Sequence, residues 1–477
     1  MKYYKILFFV FFTLTFLACE DRLEEEVFSE LAPSNLLTTE KGLTAVLNAS
    51  YSFAHRSGAQ EVWAPLYMES MTAGETWGAG GSIESLWQAQ TDFTWDSNHG
   101  HFLSTWRIHF YSIRDANIVL ANLDNENFSE SFKQLTEAEA HFLRGWNYAT
   151  LYNWYGSLPL YRSSSDNPLQ PRATEEESRS FIEQELTLAV SALPNQAPAF
   201  GRASRGTALA VLCKHYLNTK QWQKAAEAAQ DIIDMGQYSL LPSYSDVFAF
   251  ENEGNQEIIW ALPKDGAGTA TTGQALNALI FPPDFPKPFP NNSVFAARTY
   301  LSDDFVNSFE VTDTRTSQIV TEYTSIATGN LVLGLGNDQS FPNKFPFEPT
   351  SAGPWAGNDI PVIRYADILL SRAEALNEIS GPTQESIDLI NQVRNRAGAT
   401  PLNLGGFTKD TLRSAILQER SWEFYFEAKA REDQVRHGVF ILRAQARGKN
   451  AQDHHALFPI PQVELDANPD LTQNPGY

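Results

Sequence analysis

Two cysteines in 477 residues, at positions 19 and 213, set the terms on which this chain can fold. Cys19 follows a short apolar leader, so the body keeps Cys213 alone. One thiol cannot close an internal disulfide, and the fold must rest on its hydrophobic core. A body of about 450 residues can bury a large one. Cys213 ends the apolar run Ala208-Leu209-Ala210-Val211-Leu212-Cys213, which predicts a buried, inert thiol rather than a nucleophile.

The leader predicts the compartment. Lys2 and Lys5 precede an apolar run from Ile6 to Ala18. At ~1.5 Å per residue it spans about 20 Å, short of a ~30 Å hydrocarbon core. Residues 1–18 therefore read as a signal peptide, not a membrane span. The run closes on Phe16-Leu17-Ala18-Cys19, which resembles a bacterial lipobox and makes Cys19 the expected site of lipid attachment. Glu20, Asp21, Glu24, Glu25 and Glu26 follow, so residues 19–35 read as an acidic tether. Lys and Arg number 35 against 57 Asp and Glu, a net charge of −22. That balance excludes nucleic acid as a partner and leaves the lipid anchor as the only hold on a membrane.

The body is mainly helical by its periodicity. Apolar spacing predicts helices over Thr39–Phe53, Trp106–Leu123, Thr136–Tyr155 and Ser178–Leu193. Thr136 with Glu139 reads as a capping box, and Gly156 and Pro159 as the stop. Ser204–Leu217 and Gln221–Met235 form a helix pair. Its Tyr216, Trp222, Ala225, Ala228 and Ala229 are spaced as in a tetratricopeptide hairpin. Arg364–Glu378 with Gln384–Ala397 is a second pair, followed by one long helix over Thr411–Arg436. Residues 57–105 are not periodic. Residues 237–360 carry Pro and Gly runs, with five Pro between Phe281 and Pro290, and cannot be helix or central strand there. The expectation is a single α-rich domain over 36–477, with tetratricopeptide-like helix pairs packed against a large loop-rich variable region. Its halves are 36–236 and 237–477, and 237–360 holds the variable loops.

Catalytic signatures do not occur. The sequence has no Gly-x-Ser-x-Gly elbow, no His-Glu-x-x-His helix and no phosphate-binding Gly-rich loop. His99, His101, His454 and His455 read as exposed loop histidines, and no metal or cofactor is expected. Glu423 and Glu427, spaced i,i+4, read as a solvated or Arg-paired face, as do Arg420 and Arg431 nearby. Aromatics point further. Trp63, Trp77, Trp87, Trp95 and Trp106 gather five of eleven tryptophans into one short stretch. A flat indole beside Glu75, Ser82, Glu84 and Gln88 suits the C–H face of a sugar and its hydroxyl rim. The same residues would also serve as packing under long loops.

Several segments together resemble the SusD/RagB family of Bacteroidetes outer-membrane lipoproteins. They include the start Cys19-Glu-Asp21-Arg-Leu23 and Glu137-Ala-Glu139-Ala-His-Phe142-Leu143-Arg144-Gly-Trp146-Asn-Tyr148. Trp154-Tyr155-Gly156-Ser-Leu158-Pro159 follows, then Ile360-Pro361-Val362-Ile363-Arg364-Tyr365-Ala366-Asp367. Asn391-Gln-Val393-Arg394-Asn-Arg396 and Glu419-Arg420-Ser-Trp422-Glu423-Phe424 fit the next helices, and Asn474-Pro475-Gly476-Tyr477 the terminus. The resemblance implies a non-catalytic, lipid-anchored protein on the outer face of the outer membrane. It would capture oligosaccharide and pass it to a SusC-like TonB-dependent barrel. Competing readings are a peptide-binding or protein-only tetratricopeptide lid, and a surface glycoside hydrolase. The expected glycan contacts are Trp77 and Trp87 by stacking and Glu75, Asn291, Asn292 and Arg298 by hydrogen bonds, with the loop at Trp355.

Overall fold

Hydroxyl side chains set where many of the helices begin. The computed structural model describes residues 36–55, 63–266, 272–351 and 353–477. In it Ser129, Thr174, Ser204, Thr383 and Thr408 each accept a backbone N–H from the first turn that follows. The leader, Cys19 and the tether lie outside the described residues.

The elements run α1 (Glu40–His55), α2 (Trp63–Ala73), β1 (Thr76–Ala79), α3 (Glu84–Asp92), α4 (Gly100–Ala121), α5 (Glu130–Tyr155), α6 (Glu175–Ala192), α7 (Arg205–Asn218) and α8 (Trp222–Asp234). The loop-rich region holds β2 (Ile258–Leu262), α9 (Leu276–Ile280), β3 (Arg298–Leu301), α10 (Asp303–Asn307), β4 (Ile319–Val320), β5 (Glu322–Thr324), β6 (Leu331–Leu333), β7 (Phe341–Pro342) and β8 (Ile360–Arg364). The chain closes with α11 (Tyr365–Ser380), α12 (Gln384–Arg396), α13 (Lys409–Phe424), α14 (Ala430–Arg436), α15 (Phe440–Ala446) and α16 (Gln462–Ala467).

The fold is mainly helical, as expected. Consecutive helices pack together from α4 through α8, α1 lies along α4, and α8 packs on α11, which carries α12 and α13. Buried Ala225, Ala226, Ala228 and Ala229 let α8 approach its neighbours closely. Cys213 is buried there with its Sγ 3.4 Å from the Ala225 carbonyl, and burial pushes its thiol up to about 12. The strands form antiparallel pairs: β1 with β3, β2 with β8, β4 with β7 and β5 with β6. A second core of Tyr67, Trp87, Phe281, Tyr300, Phe341, Tyr425 and Phe426 lies beneath the loops.

Three local expectations are corrected. Helix α5 starts at Glu130 under a Ser129 cap, so Thr136 lies inside it. Glu139 makes no capping box, because Arg202 (2.6 Å) and the Tyr51 hydroxyl (3.0 Å) occupy its carboxylate. The stretch 57–105 contains α2 and α3; α2 is buried on nearly every side, with polar Glu69, Ser70 and Thr72 buried beside its apolar residues, which erases its periodicity. The long helix over 411–436 is broken between α13 and α14, where Phe426 and Ala428 adopt left-handed backbone. The break turns Glu427 inward to Arg364 (2.8 Å) and Lys344 (2.6 Å). The histidines are corrected too: His99, His101 and His455 are buried, and burial lowers all of them.

Charge holds the base of the loop region to the helices. Arg364, at the end of β8, meets Glu257 (2.5 Å), Glu423 (2.9 Å) and Glu427. Arg315 meets Asp313 and Glu419 (both 2.7 Å), and Arg420 joins Asp367 to Asp433 (both 2.8 Å). The i,i+4 pair Glu423 and Glu427 is thus an Arg-paired face, but a buried one. Burial alone would raise Asp367, yet Lys214, Arg420 and Lys429 hold it well below the usual carboxylate range.

Candidate functional site

Strand β1 carries Trp77 into position. It pairs with β3 so that Trp77 lies opposite Tyr300, and the rings sit 4.7 Å apart with 32° between their planes. The indole N–H donates to the Asp338 carbonyl at 2.7 Å, and the Asp338 carboxylate accepts the Asp303 N–H, also at 2.7 Å. Gly78 follows because a Cβ there would fall 2.2 Å from the Trp87 ring. Trp77 is half-buried and borders an open cleft of about 980 Å³. One wall is β1, α10 and residues 337–339; the other is α14, α15 and Arg447.

Glu75 lies at the base of this cleft. Its Oε2 accepts the Phe426 N–H at 3.0 Å, and its Oε1 has no hydrogen-bond partner. Burial pushes its carboxyl up to about 8, so it is a neutral acid at pH 7. Gln434 donates to the Ala73 carbonyl at 3.1 Å and leaves its Oε1 unpartnered. Arg447 packs its guanidinium on Gly74, where a Cβ would fall 2.2 Å from Cζ, and donates to the Thr72 carbonyl at 3.1 Å. Burial lowers Arg443, and burial together with the Arg443 charge lowers Arg447 to about 10. Both stay charged at neutral pH. Lys449 pairs with Asp92 at 2.7 Å on the rim.

The structure brings together only part of the expected site. Glu75 and Trp77 share the cleft. Trp87 does not present a face to a ligand: it has no exposed surface, and its ring packs 4.7 Å from Tyr67 in the second core. Helix α3 puts Trp87 and Gln90, three apart, on its one buried side. Asn292 is also structural. Its side chain is buried and donates to Ser351 Oγ (2.7 Å) and the Glu348 carbonyl (3.3 Å). Asn291 is exposed beside it, and its carbonyl accepts the Gly353 N–H at 2.8 Å. Trp355 is half-buried against the edge of Phe295, 6.3 Å between ring centres. Arg298 ends β3 opposite Ala79 and, like Asn291 and Trp355, does not line the cleft.

The cleft residues missed from the sequence are Gln434, Arg443, Arg447 and Asp338. A charge pattern marks the two arginines: between Asp433 and Asp453 the chain has four cations and no carboxylate. A smaller cavity of about 210 Å³ lies among α4, α5 and β8. Its charged groups answer one another, as in Lys214 with Glu432 (2.5 Å), and it holds none of the expected residues. No group of three or more metal-ligating side chains occurs among the described residues.

Comparisons with known proteins agree at both ends of the chain. A family model described as "SusD family" matches residues 341–477, and one described as "Starch-binding associating with outer membrane" matches residues 23–217. SusD-like protein P25 of Formosa agariphila is 29% identical, with 100% of each chain covered. Starch-binding protein SusD of Bacteroides thetaiotaomicron is 24% identical over 77% of each. Among solved structures, a laminarin binding SusD-like protein superposes with a TM-score of 0.80 at 25% identity, covering 92% of this chain and 100% of that one.

Proposed function

From the premise that this chain belongs to the SusD-like family, we propose that it binds glycan at the cell surface, in the cleft beside Trp77. The observation that carries the reading is the bracing of that indole. Tyr300 backs the ring and Asp338 holds its N–H, so a half-buried aromatic is fixed at the edge of a cleft large enough for several sugar units. A prefixed ring loses little entropy when a pyranose stacks on it. Polar groups around it, Gln88, Gln339 and Ser421 among them, suit sugar hydroxyls.

Binding without hydrolysis is the better-supported chemistry. Glycoside hydrolysis needs a second free carboxylate ~5–9 Å from the acid. Around Glu75, Asp92 is tied to Lys449 and Asp338 caps the Asp303 N–H, which leaves exposed Asp304 as the carboxylate of this cleft without such a tie. The relatives named by their ligand are starch- and laminarin-binding proteins. The family's association with the outer membrane supports anchoring through Cys19 and delivery of the captured glycan to a SusC-like TonB-dependent barrel.

Affinity electrophoresis of the purified full-length chain through gels of starch, laminarin and plant and algal polysaccharides tests the binding. Retardation without shortening of the polysaccharide is expected. Retardation by none would leave a peptide ligand or a protein-only lid. Co-purification of the barrel with the tagged chain from outer membranes tests the delivery.

A further inference from the structure

We propose that the Arg443–Arg447 end of the cleft is an anion-binding subsite, which takes the carboxylate or sulfate ester of an acidic glycan. The inference rests on the glycan-binding reading and adds the charge of the ligand.

The two arginines stand four residues apart, at the end of α15 and just beyond it, so they share a face. Among the described residues no carboxylate lies within ion-pair distance of either. The cleft's own carboxyl groups, Glu75, Asp92, Asp304 and Asp338, are no exception. Arg443 makes no side-chain hydrogen bond among the described residues, and Arg447 makes only the one to Thr72. Two like charges held this close repel, and partial burial sharpens the repulsion. Beyond Arg447's packing on Gly74 and its bond to the Thr72 carbonyl, the fold gains nothing visible from the arrangement. An anion seated between the guanidiniums would relieve the repulsion and accept their N–H groups in pairs.

Independent polar groups complete the subsite. Glu75, Gln434 and Arg443 line both the cleft and a small cavity of about 10 Å³ at its base. Gln434 Oε1 and Glu75 Oε1 are unpartnered but covered, so a water in that cavity, accepting from neutral Glu75 or donating to Gln434, would link them to a bound oxygen. An ionised Glu75 would repel an anion; a protonated one does not. A neutral glycan would leave both guanidiniums unanswered, so the cleft favours an acidic one.

The test compares wild type with Arg443→Gln/Arg447→Gln, both as full-length chains, on polygalacturonate, a sulfated galactan and neutral laminarin. Wild type should bind at least one anionic polymer more tightly than laminarin. Preference for polygalacturonate assigns a carboxylate, and preference for the galactan a sulfate ester. The double variant should lose about tenfold on that polymer, the size of one charge-assisted hydrogen bond, and less on laminarin, so that the preference for the anionic polymer falls; its melting should drop by no more than loss of the Arg447 bond to the Thr72 carbonyl accounts for. Equal anionic binding by both proteins, or wild-type binding to laminarin alone, overturns the subsite and leaves glycan binding standing. Binding to no polysaccharide overturns the glycan reading itself. If the double variant does not fold, salt decides on wild type. Raising NaCl from about 0.05 to about 0.5 M should weaken the anionic polymer and spare laminarin; equal insensitivity overturns the subsite.

Discussion

Arg364 and the pair Arg443 and Arg447 belong to one chain and obey opposite rules. Arg364 has no exposed surface and meets Glu257, Glu423 and Glu427. Arg443 and Arg447 line an open cleft and meet no carboxylate. The carboxyls divide the same way. Burial would raise both Glu427 and Glu75, but Arg364 and Lys344 hold Glu427 low, whereas nothing offsets burial enough at Glu75, which stands at about 8. In the helical base each charge is answered inside the protein, so its role is to fix one element against another. At the far end of the cleft Arg443 and Arg447 are left for something outside, while Lys449 on the rim is matched by Asp92. Charge alone therefore does not mark a site; charge without an internal partner does.

The largest effect is expected where matching is tightest. Arg364→Ala takes the shared cation from three buried carboxylates, leaving Glu257 and Glu423 to Arg396 and Glu427 to Lys344, and should cost about 3–5 kcal/mol or prevent folding. Urea unfolding of the purified variant measures it, and a wild-type midpoint would show that the network is not what ties β8 to α13. Trp87→Ala should cost a similar ~3–5 kcal/mol, because it empties a fully buried indole site. Its folded fraction should bind glycan as wild type does. Weakened binding at unchanged stability would return Trp87 to the site.

These two positions also show what the sequence could and could not tell. Arg364 and Glu423 were legible as parts of family segments, and helix periodicity gave most of α4 to α12. The i,i+4 spacing of Glu423 and Glu427 suggested a solvated or Arg-paired face, but the helix ends at Phe424, and their burial and pairing depend on Arg364 and Arg315 from far along the chain. Gly and polar residues flank Trp77 and mark it as the more exposed ring, whereas Leu86, Gln88 and Ala89 around Trp87 suit a stacking face and a core equally well. The pairing of β1 with β3, across more than 200 residues, is what sets Trp77 at the cleft. The same long-range closure moved Asn292 and Trp355 away from the cleft and brought Arg443 and Arg447 in. Local patterns carried the scaffold; contacts distant in sequence assembled the site.

Titration separates the two regions next. Glu75 sits at about 8 in the fold against an ordinary 4.5, so the native chain keeps this proton to higher pH than the unfolded one. Its contribution to stability is complete below about 4.5 and lost as pH rises toward 8. Glu69 and Glu253, both at about 7, add similar losses at lower pH, and Lys264 and Lys344, lowered to about 8, begin to oppose the loss at the top of the window from about 7 to 8, so the Glu75 share is read as the difference between wild type and Glu75→Gln. Across that window Glu75→Gln should remove a slope of at most about 1.4 kcal/mol per pH unit. The helical base behaves in reverse. Asp367, Glu374 and Glu427 are held low, so their contribution is present above the ordinary carboxyl values and disappears as pH falls below them. Glu75→Gln should leave that acid limb unchanged, and urea midpoints across pH 3–9 follow both limbs.

The smallest effect falls on binding alone and tests the cleft most directly. Trp77→Ala should lose roughly 1–3 kcal/mol of glycan affinity, the range for aromatic hot spots. It also removes the packing on Tyr300 and the bond to Asp338, so a weaker binder could reflect a displaced 337–339 wall rather than a missing stacking face. Trp77→Phe separates these. It keeps a ring on Tyr300 and gives up the bond to the Asp338 carbonyl, at a stability cost of about 0.5–1.5 kcal/mol. If stacking carries the affinity, Phe should recover most of what Ala loses, as read by calorimetric titration with the retarding polysaccharide. If Phe binds as poorly as Ala, the indole acts by anchoring Asp338, and the stacking face must be sought elsewhere along the cleft.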